Sequence, residues 1–193
     1  MNRICVFAGS NSGRDARYRA AAQELGRALV RHQAGLVYGG ARVGLMGTLA
    51  DAVLGAGGHV TGVIPESLVA KEIAHQGLSE LRIVASMHER KAVMNDLADG
   101  FIALPGGWGT LEELFEVLTW AQLGLHQKPC GLLNVHGFFD RLLSFLDHSV
   151  AEGFVRAENH AMVLTSNAAD ELLQRLEDYV PPKVEKWIQR AET

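Results

Sequence analysis

The chain has 193 residues, 48% of them apolar and 21% charged, which suits one compact domain with a sizeable core. A net charge of −4 argues against a protein that coats nucleic acid, and no block of like charge forms an interaction tail. No apolar run is long enough to span a membrane, and the apolar stretch at the start is too short for a signal peptide.

Apolar, β-rich runs alternate with helix-period stretches along the chain. Residues 4–7 read as a first strand, followed by the turn Ala8-Gly9-Ser10-Asn11-Ser12-Gly13. The spacing of Ala21, Leu25, Ala28 and Leu29 predicts a helix over residues 18–32. Residues 36–38 form a second strand ending in Gly39-Gly40, and Gly44-Leu45-Met46-Gly47 leads into a helix over 48–56. A third strand covers 59–64, closed by Pro65. Residues 66–79 have no clear period and are expected to be partly loop. A strand over 81–85 precedes a helix over 88–98, and a strand over 101–104 precedes a helix over 110–121. A strand over 131–135 is followed by a helix near 138–152. A seventh strand, 162–165, leads to a last helix over 167–179, capped by Asn167.

Strand–helix alternation with continuously apolar strands predicts a single α/β domain, a Rossmann-like doubly wound parallel sheet, over residues 1–180, with a tail over 181–193. Such sheets bind ligands at the carboxyl ends of their strands, so the glycine turns after strands one, two and five should meet at one edge. Cys5 and Cys130 sit inside strand-like runs, as buried thiols of a protein in a reducing cytoplasm would. There is no CxxC and no HExxH, so the eight histidines give no metal signature.

The chemistry concentrates at Pro105-Gly106-Gly107-Trp108-Gly109-Thr110-Leu111-Glu112-Glu113. A strand that ends in a glycine turn and opens a helix offers unpaired N–H groups and the positive end of a helix dipole, which together suit a phosphate. A capping box, with Thr110 as N-cap and Glu113 at the third helical position, accounts for two of these residues but not for three glycines. In the helix that follows, Leu111, Leu114, Phe115 and Leu118 form a core stripe, and Glu112, Glu113, Glu116 and Thr119 share the opposite arc. Carboxylates beside an anion site point to a ligand with a second centre where positive charge develops. Which of Glu112 and Glu113 acts is left open, because helix phase near a cap is uncertain. In Met87-His88-Glu89-Arg90-Lys91, Arg90 falls on the apolar stripe of Val93, Met94 and Leu97, so it needs an anionic partner, either a carboxylate or a ligand phosphate. Lys91 points elsewhere.

Gly39-Gly40 with Gly44-Leu45-Met46-Gly47, then Met87-His88-Glu89-Arg90-Lys91 with Met94, then the nine residues from Pro105, together with Thr119-Trp120-Ala121-Gln122-Leu123-Gly124 and Lys128-Pro129, resemble the LONELY GUY (LOG) family from strand one to about Tyr179. The resemblance implies a cytoplasmic phosphoribohydrolase that needs no cofactor. Its substrate would be a nucleoside 5′-monophosphate, cytokinin riboside 5′-monophosphate or AMP, cleaved to free base and ribose 5-phosphate. It implies a homodimer or higher homo-oligomer with sites near the interface. It also implies a substrate site lined by Glu72, Arg90, Lys91, Gly106, Gly107, Trp108, Gly109, Thr110, Leu111, Glu112, Glu113 and Thr119, with Glu113 and Arg90 carrying the chemistry. The other function class that a glycine turn admits is a nucleotide-binding carrier without turnover. The acid arc and Arg90 argue against it, since binding an anion alone does not call for three nearby carboxylates.

Overall fold

The computed structural model describes residues 1–69 and 74–182. Seven strands among them form one parallel sheet in the order β4-β3-β2-β1-β5-β6-β7. They are β1 Arg3–Phe7, β2 Gly35–Tyr38, β3 Val60–Pro65, β4 Glu80–Val84, β5 Gly100–Ala103, β6 Cys130–Leu133 and β7 Val163–Ser166. The helices are α1 Ala16–Arg31, α2 Gly44–Gly55, α4 Met87–Leu97, α5 Trp108–Gln122, α6 Asp140–Ala151 and α8 Ala169–Glu177, with single turns α3 Glu66–Val69 and α7 Ala157–His160. All seven strands fall where the periodicity placed them, and the Rossmann-like doubly wound class holds. β1 pairs with both β2 and β5, so the direction of winding reverses there. This is the point at which open α/β sheets form a crevice.

Alternation along each strand feeds two cores. Ile4, Val6, Leu36, Tyr38 and Ile102 pack under α1, α2 and α8, while Cys5, Phe7, Val37, Phe101 and Cys130 pack under α4 and α5. Cys5, Phe101 and Cys130 stand in register across three strands. Burial pushes both thiols up, Cys130 to about 12. A thiol held protonated and sealed is inert. Both cysteines are therefore expected to ignore dithiobis(nitrobenzoate) in the folded protein and to react only on unfolding, measured as thiol released with and without guanidinium.

Several helix starts differ from the sequence reading, and each difference has a local cause. Helix α2 takes in Gly44-Leu45-Met46-Gly47 as its first turn instead of starting at Thr48. Gly44 makes this possible: its φ is +61°, and any side chain there would collide with the Ser10–Asn11 backbone. The last helix begins at Ala169 with Ala168 as its cap, not Asn167. The Ser166 hydroxyl does the capping work, accepting from the Ala168 N–H at 3.0 Å and donating to Glu171 at 2.7 Å. Helix α5 starts at Trp108, two residues before the expected Thr110, and this change reshapes the site.

Candidate active site

Three turns converge at the β1/β5 reversal, as their shared glycine content suggested. The Gly9 N–H donates to Pro105 O at 3.1 Å, and the Leu45 N–H donates to Gly9 O at 3.0 Å. These bonds tie the turns after β1 and β5 to the start of α2. Beside them a cleft of about 200 Å³ is lined by Ser10, Asn11, Tyr18, Pro105, Gly107 and Phe138 among others. Sequence reasoning gave the turn after β1 little weight. Its position at the first strand of a doubly wound sheet was the signal that could have raised it.

The N-cap of α5 is Gly107, with extended backbone and no side-chain capping bond. Thr110 is no cap: it lies inside the helix, 4% exposed. Its hydroxyl occupies the space that a Gly106 side chain would take, and this packing draws the chain into helix two residues early. The first intrahelical bond runs from Leu111 N–H to Gly107 O, so the amides of Trp108, Gly109 and Thr110 have no helical partner. A Cβ built on Gly107 or Gly109 would meet no atom within 4 Å. Packing within the chain therefore does not demand glycine at these positions, and their bare backbone lies open to close approach. Trp108 stands 90% exposed at the mouth.

The core face of α5 is also rotated from the expected one. Its buried positions are Thr110, Leu114, Val117 and Ala121, so Phe115 leaves the expected core stripe and reaches 36% exposure, while Leu111 is half-buried against α6. The same rotation separates the two acids. Glu113 turns inward, its side chain 12% exposed, with Oε1 at 3.4 Å from Arg90 Nη2. Glu112 stays 55% exposed and accepts from Lys91 Nζ at 2.6 Å. Lys91 also donates to Glu116 at 2.8 Å, so it joins α4 to the outer face of α5.

Burial pushes the Glu113 carboxyl up to about 7; Arg90 and Lys91 pull it down, and Glu112 and Glu116 push it further up. Arg90 is itself buried, on the apolar stripe of α4 as expected, and Glu113 is its carboxylate partner. Its Nη1 lies 3.6 Å from the Met87 sulfur, and its Nε has no hydrogen-bond partner among the described residues. A buried guanidinium with donors to spare, next to a row of bare amides, is a strong attractor for an anionic or polar ligand.

One of the expected positions does not join this cluster. Thr119 lies on the exposed side of α5, its hydroxyl donating to Phe115 O at 2.6 Å in its own helix. Glu72 lies outside the described residues. A second cleft, of about 390 Å³, opens between α4 and α5 beside Lys91, Asn95, Glu116, Trp120 and His126. His126 there is neutral, held near 4 by burial, and makes a 2.9 Å hydrogen bond with Val117 O.

Fold and site together define a Rossmann-like α/β protein with an uncapped helix start at its switch point and a buried Arg90–Glu113 ion pair alongside. Comparison with known proteins narrows this. A family model described as "Possible lysine decarboxylase" matches residues 46–176. The chain is 55% identical over 181 residues to the rice protein named cytokinin riboside 5′-monophosphate phosphoribohydrolase LOG, covering 94% of this chain and 75% of that one. It is 53% identical to the Arabidopsis thaliana phosphoribohydrolase LOG1, covering 94% and 85%. The chain belongs to the LOG family. Solved structures of the same fold include a molybdenum cofactor binding protein from Rippkaea orientalis, with a TM-score of 0.70, 21% identity and coverage of 92% and 96%. The molybdenum cofactor carrier protein of Chlamydomonas reinhardtii matches with a TM-score of 0.66, 18% identity and coverage of 92% and 99%.

Proposed function

We propose that the protein hydrolyses the N-glycosidic bond of nucleoside 5′-monophosphates, cytokinin riboside 5′-monophosphate and AMP, releasing free base and ribose 5-phosphate. This is the activity by which the rice and Arabidopsis relatives are named. The observation that carries it in this chain is the buried Arg90–Glu113 pair, 3.4 Å apart, beside the bare amides of α5. The 5′-phosphate docks on the N–H groups of Trp108, Gly109 and Thr110, where the helix dipole favours negative charge. Cleavage of the C1′–N bond builds positive charge on the ribosyl ring, as in glycoside hydrolysis. Ionised Glu113 stabilises that charge and orients the water that attacks C1′; the proton lost by the water passes to the departing base. Arg90 opposes the burial that raises the Glu113 pKa and so favours its ionised form.

The phrase "lysine decarboxylase" implies another chemistry, in which a lysine amine condenses with a carbonyl cofactor. That amine must first lose its proton. Burial works to strip the charge from Lys91, but hydrogen bonds to Glu112 and Glu116 outweigh it and hold the ammonium above its ordinary range.

The protein is a homodimer or larger homo-oligomer in this reading. Exposed Met87 and Phe115 lie near the site, and an assembled form gives Thr119 a route to the substrate that its own chain does not. The two free thiols fit a cytoplasmic location.

Incubation with AMP and with isopentenyladenosine monophosphate is expected to release adenine and isopentenyladenine, seen by chromatography. Recovery of both nucleotides intact, but bound, would instead support a carrier, as the Chlamydomonas reinhardtii protein that shares the fold is named.

A further inference from the structure

We propose that Gly39 is a positioning residue for Arg90: the side chain it lacks is the space in which the guanidinium lies. Gly39 directly follows β2, on the side of the sheet covered by α4. A Cβ built there would overlap Arg90 Nη2, with Cζ at 3.0 Å and Nε at 3.5 Å. All three nearest neighbours belong to that one guanidinium. Gly39 is also not among the glycines with positive φ, so its backbone accepts alanine without strain. The closest obstacle to a side chain here is the Arg90 guanidinium. The guanidinium is thus held between the end of β2 on one side and Glu113 Oε1, 3.4 Å away, on the other.

A methyl group at position 39 would act as a wedge on one flexible side-chain end, the nearest group it meets. Folding then tolerates the change, and the Arg90–Glu113 geometry does not. The inference rests on the hydrolase reading for its kinetic consequence and on geometry alone for its electrostatic one, so the two can fail separately.

The test compares wild type, Gly39→Ala, Arg90→Ala and the double variant. Gly39→Ala is expected to lower kcat for AMP roughly ten- to hundredfold, with KM changed much less and the melting temperature held. In the Arg90→Ala background it is expected to cost nothing further, since the group it displaces is gone. Glu113 faces Arg90 and Lys91 from α4 and Glu112 and Glu116 on its own helix. Moving the nearest cation away raises its titration midpoint, so the rise in rate with pH shifts to higher pH, and carboxyl-labelled NMR shows the same shift without turnover. Wild-type rate and midpoint in Gly39→Ala, full additivity in the double variant, or a large drop in melting temperature would each overturn the proposal. Should wild type leave AMP intact, the hydrolase reading falls, and the NMR midpoint still decides the role of Gly39.

Discussion

Replacing Glu113 with glutamine is expected to cut kcat for AMP hydrolysis by about a hundred- to thousandfold, the usual cost of losing one electrostatic contact to a transition state. The same change should leave the fold intact and its stability near neutral pH unchanged or higher. The sign follows from linkage. Burial raises the Glu113 pKa from its ordinary 4.5 to about 7 in the folded chain. A group whose folded pKa is raised contributes stability that is complete below the unfolded value and is lost as pH climbs through the folded one. A gap of this size corresponds to something on the order of 3 kcal/mol. Thermal melts of wild type should therefore weaken between pH 4.5 and about 7 from this source, and the glutamine variant should lose that component. Glutamine keeps an oxygen that can accept from Arg90, so the guanidinium is not stranded. Normal turnover by the variant would remove Glu113 from the mechanism.

The second large effect is expected at Arg90. Alanine there should cost about a hundredfold or more in kcat, because two functions go together. The ligand loses a buried donor group, and Glu113 loses the cation that most lowers its pKa. At neutral pH more of the variant then carries protonated Glu113, so its rate should recover in part as pH rises. Arg90→Lys should rescue poorly, since one ammonium cannot span from the Gly39 backbone to Glu113 as the planar fork does. The check is a pH–rate profile for the three proteins; coincident profiles would show that Arg90 has no electrostatic hold on the acid.

Much of this site was legible before any coordinates. Strand positions follow from apolar runs, and the meeting of the turns after β1, β2 and β5 follows from a parallel sheet that winds both ways. Arg90 was legible because a cation on an apolar stripe demands a partner. What the sequence hid is phase. Thr110-Leu111-Glu112-Glu113 has the pattern of a capping box, yet the space beside Gly106 draws the threonine inward and starts α5 earlier. The helix also packs on a different face, with Val117 in the core instead of Phe115 and Glu113 instead of Glu112 as the inward acid. Nor did local spacing show that Lys91 holds Glu112 and Glu116, because the partners lie 21 and 25 residues away on another helix. Asn167 misled because the helix begins two residues on, at Ala169, where the Ser166 hydroxyl bridges the Ala168 N–H and Glu171.

Helix α1 closes on the Asp15 carboxylate and α4 on the Ser86 hydroxyl, but α5 has no such lid of its own. In the proposed reading its opening turn is completed from outside, by the 5′-phosphate of the nucleotide. Recognition then rests on main-chain atoms, and among the twenty residues only proline would remove such a donor outright. Substitution of exposed Trp108 is accordingly expected to change which base is accepted more than it changes the grip on the sugar phosphate.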